Sequence, residues 1–441
     1  MTGLAVPPAT RRAPALSRTL LLRCALYLGP LSVVIAAAGL LGRLPWQVPA
    51  GTLVLGWSAA QALAAAGTGV ARRGGAGAGA RLVGIGFLAA AALWVALVLL
   101  APASVGGAAP GRAIAVGGCG LLSLATVTAA LVSRTEAAVV RWSLPCWLLA
   151  AIAVAGAIGD TWAARVPVTL LLPFAVAVAA GRAFRPAFRH PARTSFWAGS
   201  RASFWADSRT GSRTDSQAGS QAGSQAGSRG GPWAAFLGSV MLSMRGADWR
   251  GAAGRAVLGA GQAASAVLLW RAGPPAATSP AVLPLLAAGP VLEALIGWHR
   301  RQVETSLDVA ESDAEHRAHL GGVTAVTVAG LLPPLAAGIA LALAAYRLPG
   351  GVVGAREPVL AVAGGILLSG VLAITLLLAA HGRTGTAAAL AAAPPLAAVL
   401  TPLVPALPPD PLRTVVALLA ATHLIGLLTV AYTAADPRRT S

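Results

Sequence analysis

Long apolar stretches with few or no charged side chains are the feature that most constrains this sequence. A helix needs about 20 mainly apolar residues to cross a bilayer, and twelve stretches of about that kind occur along the 441 residues. In lipid every backbone polar group must be paired within the protein, so stretches of this length form helices. The sequence therefore predicts an all-α, polytopic integral membrane protein with about 12 transmembrane helices.

The twelve stretches fall into two groups of six, which predicts a 6+6, two-lobed arrangement. The spans expected in the first group are 19–41, 48–70, 82–101, 113–133, 142–160 and 163–181, and those in the second are 254–270, 278–298, 320–346, 357–379, 384–408 and 412–434. The spans 163–181 and 254–270 are close to the minimum of about 17 residues that crosses the hydrocarbon.

Composition supports the same class. Apolar residues make up 56% of the chain, charged residues 11%, and the mean hydropathy is +0.73, whereas about a quarter of the residues of soluble domains are charged. The 33 basic residues are all arginine and the net charge is +19. In a membrane protein such charge reports on loop placement, so we expect a lipid bilayer as partner and no nucleic acid.

A polar centre separates the two groups of spans. Its sequence is rich in Arg, Ser, Gly and Gln and includes three consecutive QAGS tetrads from Gln217 to Ser228. Such a segment buries too little apolar area to offset its chain entropy, so we expect a disordered cytoplasmic linker. The predicted organisation is a six-helix half over 1–181, the linker over 182–232, an interfacial helix over 233–252 and a second six-helix half over 253–441.

Arginine placement predicts the orientation, because cytoplasmic flanks of transmembrane helices are enriched in arginine and lysine. With both termini inside, 26 of the 33 arginines fall in cytoplasmic segments and 7 in outer loops. This asymmetry favours an even number of spans, with the polar centre and both termini in the cytoplasm. We therefore expect a multi-pass protein of the cell (cytoplasmic) membrane.

Ionisable side chains within the spans are the candidate functional residues, because charge in hydrocarbon costs about 2.5–3.5 kcal/mol on insertion scales. Glu293 precedes the Trp298–Arg301 boundary by about one and a half turns and is a candidate for ion coupling or head-group contact; its alternative is an ion pair with Arg300. His423 is a candidate proton relay, or a hydrogen-bonded link between helices. Arg23 lies four residues into the first span and either contacts a head group or snorkels to the surface.

Several enzyme signatures are missing from the sequence. It contains no GxxxxGK[ST] loop, no HExxH, no GxSxG and no carboxylate pair, so neither nucleotide hydrolysis nor these hydrolytic chemistries are indicated. Cys24, Cys119 and Cys146 lie inside apolar runs without a partner at metal-ligand or redox spacing. We expect no enzyme activity, no catalytic residue, no metal and no cofactor.

Two short patches resemble a known family. They are LYLGP, from Leu26 to Pro30 in the first span, and WHRRQVETS, from Trp298 to Ser306 after a Gly-Pro-led eighth span. Together with the 6+6 plan they resemble polysaccharide exporters of the multidrug/oligosaccharidyl-lipid/polysaccharide (MOP) superfamily, in particular its PelG-like branch. The resemblance implies a flippase that moves a polysaccharide or lipid-linked glycan by alternating access, with glycosyltransferases as partners.

In that interpretation Glu293 is the first candidate for coupling and Arg23 for head-group contact. Two other functions fit the same sequence. One is a non-catalytic membrane scaffold that recruits soluble partners through its polar centre, and the other is a secondary transporter of small solutes or drugs. The sequence does not distinguish these functions.

Overall fold

The computed structural model describes most of the two apolar regions. The described residues are 13–102, 109–188, 248–273, 281–285, 288, 294–295, 297–299, 301–302, 305, 312–347, 355–400 and 410–435. The predicted linker is described only for 182–188, and the predicted interfacial helix only for 248–252. Most of the expected eighth span, including Glu293, also lies outside the described residues.

Eleven long helices account for most of the described chain, which contains no strand. They are α1 (Ala13–Ala36), α2 (Gln47–Gly74), α3 (Ala76–Leu100), α4 (Pro110–Ser133), α5 (Glu136–Ala157), α6 (Val168–Ala183), α7 (Trp249–Arg271), α8 (Asp313–Arg347), α9 (Arg356–Ala380), α10 (Thr384–Leu400) and α11 (Pro411–Ala435). Short helices at Ala38–Leu41 and Arg185–Phe188, and a 3₁₀ turn at Ala163–Arg165, lie between or beside them.

Glycine and aspartate mark several of the helix ends. Gly75 has φ of 81° and allows the sharp turn between α2 and α3, and Gly382 has φ of 78° just after α9, a conformation that side chains with a Cβ avoid. Asp248 caps α7, because its carboxylate accepts a hydrogen bond from the Gly251 N–H. Since α7 begins at Trp249, the boundary expected at 252/253 falls inside this helix.

The helices confirm an all-α membrane protein. Eight of them are long and apolar enough to cross a bilayer: α2, α3, α4, α5, α7, residues Ala318–Arg347 of α8, α9, and residues Pro411–Thr433 of α11. Three further apolar helices are shorter, namely Leu21–Ala36 of α1, α6 and α10. Large apolar side chains also face outwards, as with Leu88, Phe174 and Leu428, which are 72%, 73% and 62% exposed. The chain is therefore a multi-pass membrane protein.

The contacts among helices recur along the chain. Helix α1 packs against α4, α5 and α6, and α7 packs in the same way against α9, α10 and α11. The pairs α3–α4, α4–α6 and α5–α6 have counterparts in α8–α9, α9–α11 and α10–α11. Within each set, the first helix thus packs against the same later members.

The apolar cores follow the same division. The largest cluster of buried apolar residues draws only on residues from Leu258 onwards and surrounds α9, in whose apolar stretch 72% of residues are buried. Three other clusters draw only on α1 to α6 and the segments between them. One small cluster joins the two sets: it contains Ala66, Val70, Ala78 and Leu82 with Ala252.

Candidate functional site

The two sets of helices meet along α2 and α7, which run antiparallel in contact. At one end the guanidinium of Arg271 lies 3.9 Å from the centre of the Trp46 ring. At the other end Ala252 packs with Ala66 and Val70. We call this α2–α7 contact the seam.

Glycine lets the two backbones approach closely in the middle of the seam. A Cβ added to Gly259 of α7 would lie 2.8 Å from the carbonyl oxygen of Trp57 and 3.0 Å from Cα of Ser58. Small residues at such positions are typical of membrane helix pairs, because van der Waals packing replaces the hydrophobic driving force that lipid removes. Only glycine fits here without displacing α2.

Helix α7 is packed equally closely on its opposite face. A Cβ added to Gly261 would lie 2.8 Å from the carbonyl carbon of Ala391 in α10, and Ser265 donates a hydrogen bond to the Ala391 carbonyl at 3.2 Å. Gly259 and Gly261 are two positions apart, which places them on opposite faces of a helix. Helix α7 therefore contacts α2 of the first set with one face and α10 of the second set with the opposite face.

A buried polar chain crosses the seam beside Gly259. The Trp57 Nε1–H of α2 donates to Gln262 Oε1 at 2.9 Å, and Gln262 Nε2 donates to Thr375 Oγ1 of α9 at 2.9 Å. Gln262 is 2% exposed and Thr375 is fully buried. Thr375 in turn donates to the Val371 carbonyl at 2.8 Å. Three helices are thus linked by neutral hydrogen bonds within an apolar region.

The residues predicted from ionisability do not converge on the seam. Arg23 lies half-buried on α1, in the first set of helices. His423 lies fully buried on α11 in the second set, with Nε2 3.2 Å from the Leu331 carbonyl of α8. The structure does not describe Glu293. The roles assigned to these three residues remain predictions.

Sequence reasoning missed Trp57, Gln262 and Thr375. Charge within a span indicates a functional residue from sequence, whereas the side chains that cross the seam are neutral. The available signal was Gln262, because an amide within the expected 254–270 span needs hydrogen-bond partners in lipid.

A separate cavity lies inside the first set of helices, bounded by Pro30, Ser123, Ser143 and Val176 among others. Its volume of about 20 Å³ is enough for roughly one water molecule. This cavity is too small to bind a sugar. Among the described residues, no group of three or more His, Cys, Asp or Glu side chains is arranged to hold a metal ion.

Comparisons of the chain with protein-family models, with curated proteins and with solved structures found no match. The class defined by the helices, a multi-pass α-helical membrane protein, therefore rests on the sequence and structure alone.

Proposed function

We propose that this chain is a two-lobed transporter of the cytoplasmic membrane that moves a polysaccharide or lipid-linked glycan by alternating access. The observation that carries the proposal is the recurrence of one helix-packing pattern in two sets, each with its own core, joined along the seam. Transporters built from structural repeats work by rocking one repeat against the other.

The repeat also supports the 6+6 plan. Residues of the expected eighth span pack against α8 and α9, since Leu295 lies 3.7 Å from the Cβ position of Gly330, and Gly365 packs against the Ala281 backbone. Helix α2 packs in the same way against α3 and α4. In our proposal this segment is therefore the counterpart of α2 and completes a second lobe of six helices. With six spans in each lobe, both lobes begin on the same side of the bilayer, and both termini lie on that side. In our proposal this side is the cytoplasm, because the arginines are enriched there.

The substrate class rests on the resemblance of Leu26–Pro30 and Trp298–Ser306 to polysaccharide exporters. Coupling comes from an ion gradient or from polymer synthesis by glycosyltransferase partners, because the chain carries no nucleotide-binding motif. Glu293 remains our coupling candidate and Arg23 our head-group contact.

Flipping of a lipid-linked oligosaccharide by the purified full chain in liposomes tests the proposal. The sugar carries a fluorescent tag, and an impermeant quencher reports how much of it has crossed. We expect flipping by the unmodified chain and by Gly118→Ala, a mid-helix position with no atom within 4 Å of the added Cβ. We expect Gly259→Ala to slow flipping about fivefold or more. The added methyl overpacks the seam, which destabilises the close contact of α2 with α7 by about 1–3 kcal/mol.

Two results would overturn the proposal. Passage of small solutes without glycolipid flipping by the folded chain would identify a small-solute carrier. If the chain, verified as folded by size-exclusion chromatography, neither flipped the glycolipid nor passed small solutes, the membrane scaffold would be the remaining function.

A further inference from the structure

Two histidines from distant parts of the sequence meet at one end of the second set of helices. The Nε2 atoms of His299 and His381 lie 2.7 Å apart, and the rings form an edge-to-face pair with centroids 4.7 Å apart. His299 follows the expected eighth span and is 4% exposed. His381 is exposed and lies directly after α9, in the turn before α10.

One arrangement of hydrogens satisfies the contacts of His299 and Thr327 together. Thr327 of α8 donates its one hydroxyl hydrogen to the Val323 carbonyl at 2.8 Å. Thr327 Oγ1 is also 3.0 Å from His299 Nδ1, and while it donates to Val323 it accepts in this contact. In this arrangement His299 Nδ1 carries a hydrogen, and in the neutral ring Nε2 is a lone-pair acceptor.

The same logic assigns His381. Because His299 Nε2 accepts, the short contact requires a hydrogen on His381 Nε2. One added proton is compatible with the 2.7 Å contact, because a single imidazolium then donates a stronger, charge-assisted bond to the other ring. A second proton is not compatible, because both Nε2 atoms would then carry hydrogens facing each other.

We propose that His299 and His381 together form a binding site for one excess proton, which joins the end of the eighth expected span to the α9–α10 turn. The site is distinct from the seam, and the proposal holds whether or not the chain transports a glycan.

Among the residues that the structure describes, the charged groups near the pair favour this limit of one proton. From α7, Arg255 donates to the Ala379 carbonyl at 3.1 Å, two residues before His381. Arg383 follows His381 by two residues, and Arg301 lies on the same segment as His299. From α8 the group in contact is the neutral Thr327; His319 and Glu315 lie about two and three turns towards the start of that helix. Cations nearby disfavour a second positive charge.

The titration of His299 agrees with this geometry. Burial and the neighbouring His381 lower the pKa of His299 from its ordinary value to about 4. A first proton taken up by the pair strengthens the bond between the rings. When pH falls through about 4, His299 also takes a proton and the bond is lost. A metal ion is a poor fit, because two Zn–N bonds of about 2.0–2.1 Å in tetrahedral geometry require nitrogens farther apart than 2.7 Å.

Nitrogen NMR of the full chain in lipid, labelled with ¹⁵N-histidine, tests the proposal. Signals of the pair are those that disappear in His299→Gln and His381→Gln. We expect His299 to show hydrogen on Nδ1 and a scalar coupling across the bond to His381 Nε2. We expect the coupling to persist as the pH is lowered from neutral and to vanish below a pH of about 4.

His381→Gln sharpens the test, because the glutamine amide still donates a hydrogen bond but cannot carry a proton. We expect this variant to raise the protonation midpoint of His299 by about one unit, since a neighbouring positive charge has been removed. His319→Gln, which changes an exposed histidine of α8, should leave that midpoint unchanged. Hydrogen on His299 Nε2, or a His299 midpoint indifferent to His381→Gln, would overturn the proposal.

Discussion

At the scale of single residues, His423 shows how a lone histidine is accommodated among apolar helices. Its ring packs against Gly370 of α9, where an added Cβ would overlap Cε1, Nδ1 and Nε2. Its Nε2 contacts the Leu331 carbonyl of α8. The histidine therefore contacts α8 and α9 from its position on α11.

We predict that Gly370→Ala destabilises the protein by about 1–3 kcal/mol, the usual cost of overpacking. The added methyl has no space because the His423 ring occupies it. Unfolding in mixed detergent micelles, followed by circular dichroism, measures the change. Gly118→Ala is the matched control and should be neutral or slightly stabilising, because alanine favours a helix over glycine by about 1 kcal/mol.

The double variant Gly370→Ala with His423→Ala isolates the cause. Removal of the ring leaves room for the methyl, so we expect the pair to be less destabilised than the sum of the single changes. Simple additivity would show that Gly370→Ala acts through something other than the His423 ring.

The partners of buried polar residues such as His423 and Gln262 could not be predicted from the sequence. A histidine in the expected 412–434 span is visible at once, but its partner Leu331 is 92 residues away and contributes only a carbonyl. Gln262 is bonded to partners 205 and 113 residues distant. Hydrophobic periodicity reports which residues are buried, not which distant helix lies opposite.

At the scale of helices, α11 illustrates a start signal that the sequence contains. Asp410 Oδ1 accepts from the backbone N–H groups of Leu412 and Arg413 at 3.1 and 3.4 Å, and proline occupies the next position, where its missing N–H costs nothing. Asp410 Oδ2 also lies 2.7 Å from Arg413 Nε, with both side chains about one-third exposed.

We predict that Asp410→Ala lowers the free energy of unfolding by about 1 kcal/mol, the usual value of a helix cap. Asp410→Asn keeps an oxygen for the cap and loses only the exposed ion pair, which is worth about 0–1 kcal/mol. Unfolding in mixed micelles should therefore rank the alanine variant below the asparagine variant. As control, Asp160→Ala removes a similar acceptor for Trp162 and Ala163, but only ahead of a 3₁₀ turn. Equal losses at Asp160 and Asp410 would contradict the capping argument.

Helix α7 begins with the same signal. Asp248 before Trp249 is an N-cap pattern, whereas the apolar pattern predicts a span from Gly254 and an interfacial helix before it. The cause is hydropathy: Arg250 and the glycines of WRGAAGR lower it across the first turns, although the helix itself begins at the cap. Cap residues thus locate helix ends that hydropathy alone blurs.

At the scale of the whole molecule, the sequence predicted the all-α membrane class because apolar length is a local property. The recurrence of helix contacts is not local. Which helices pair, as α1 does with α5 and α7 with α10, or α3 with α4 and α8 with α9, depends on which apolar faces fit one another. Sequences rich in Ala, Leu and Val do not distinguish these faces well. The seam is a further example, since Gly259 is one of 52 glycines in the chain.

The remaining prediction concerns the segment between α7 and α8. If residues 278–298 cross the membrane as the counterpart of α2, three spans separate Ser220 of the QAGS tract from Gly350, which lies between α8 and α9. An odd number of spans places these two residues on opposite sides of the bilayer. We therefore predict that an impermeant maleimide added to intact cells labels Gly350→Cys but reaches Ser220→Cys only after permeabilisation, in a background with Cys24, Cys119 and Cys146 changed to Ala.

Labelling of both positions from the same side would mean that an even number of spans lies between them and would remove the 6+6 arrangement. Labelling of Ser220→Cys alone from outside would keep the three spans but reverse the orientation, placing both termini outside.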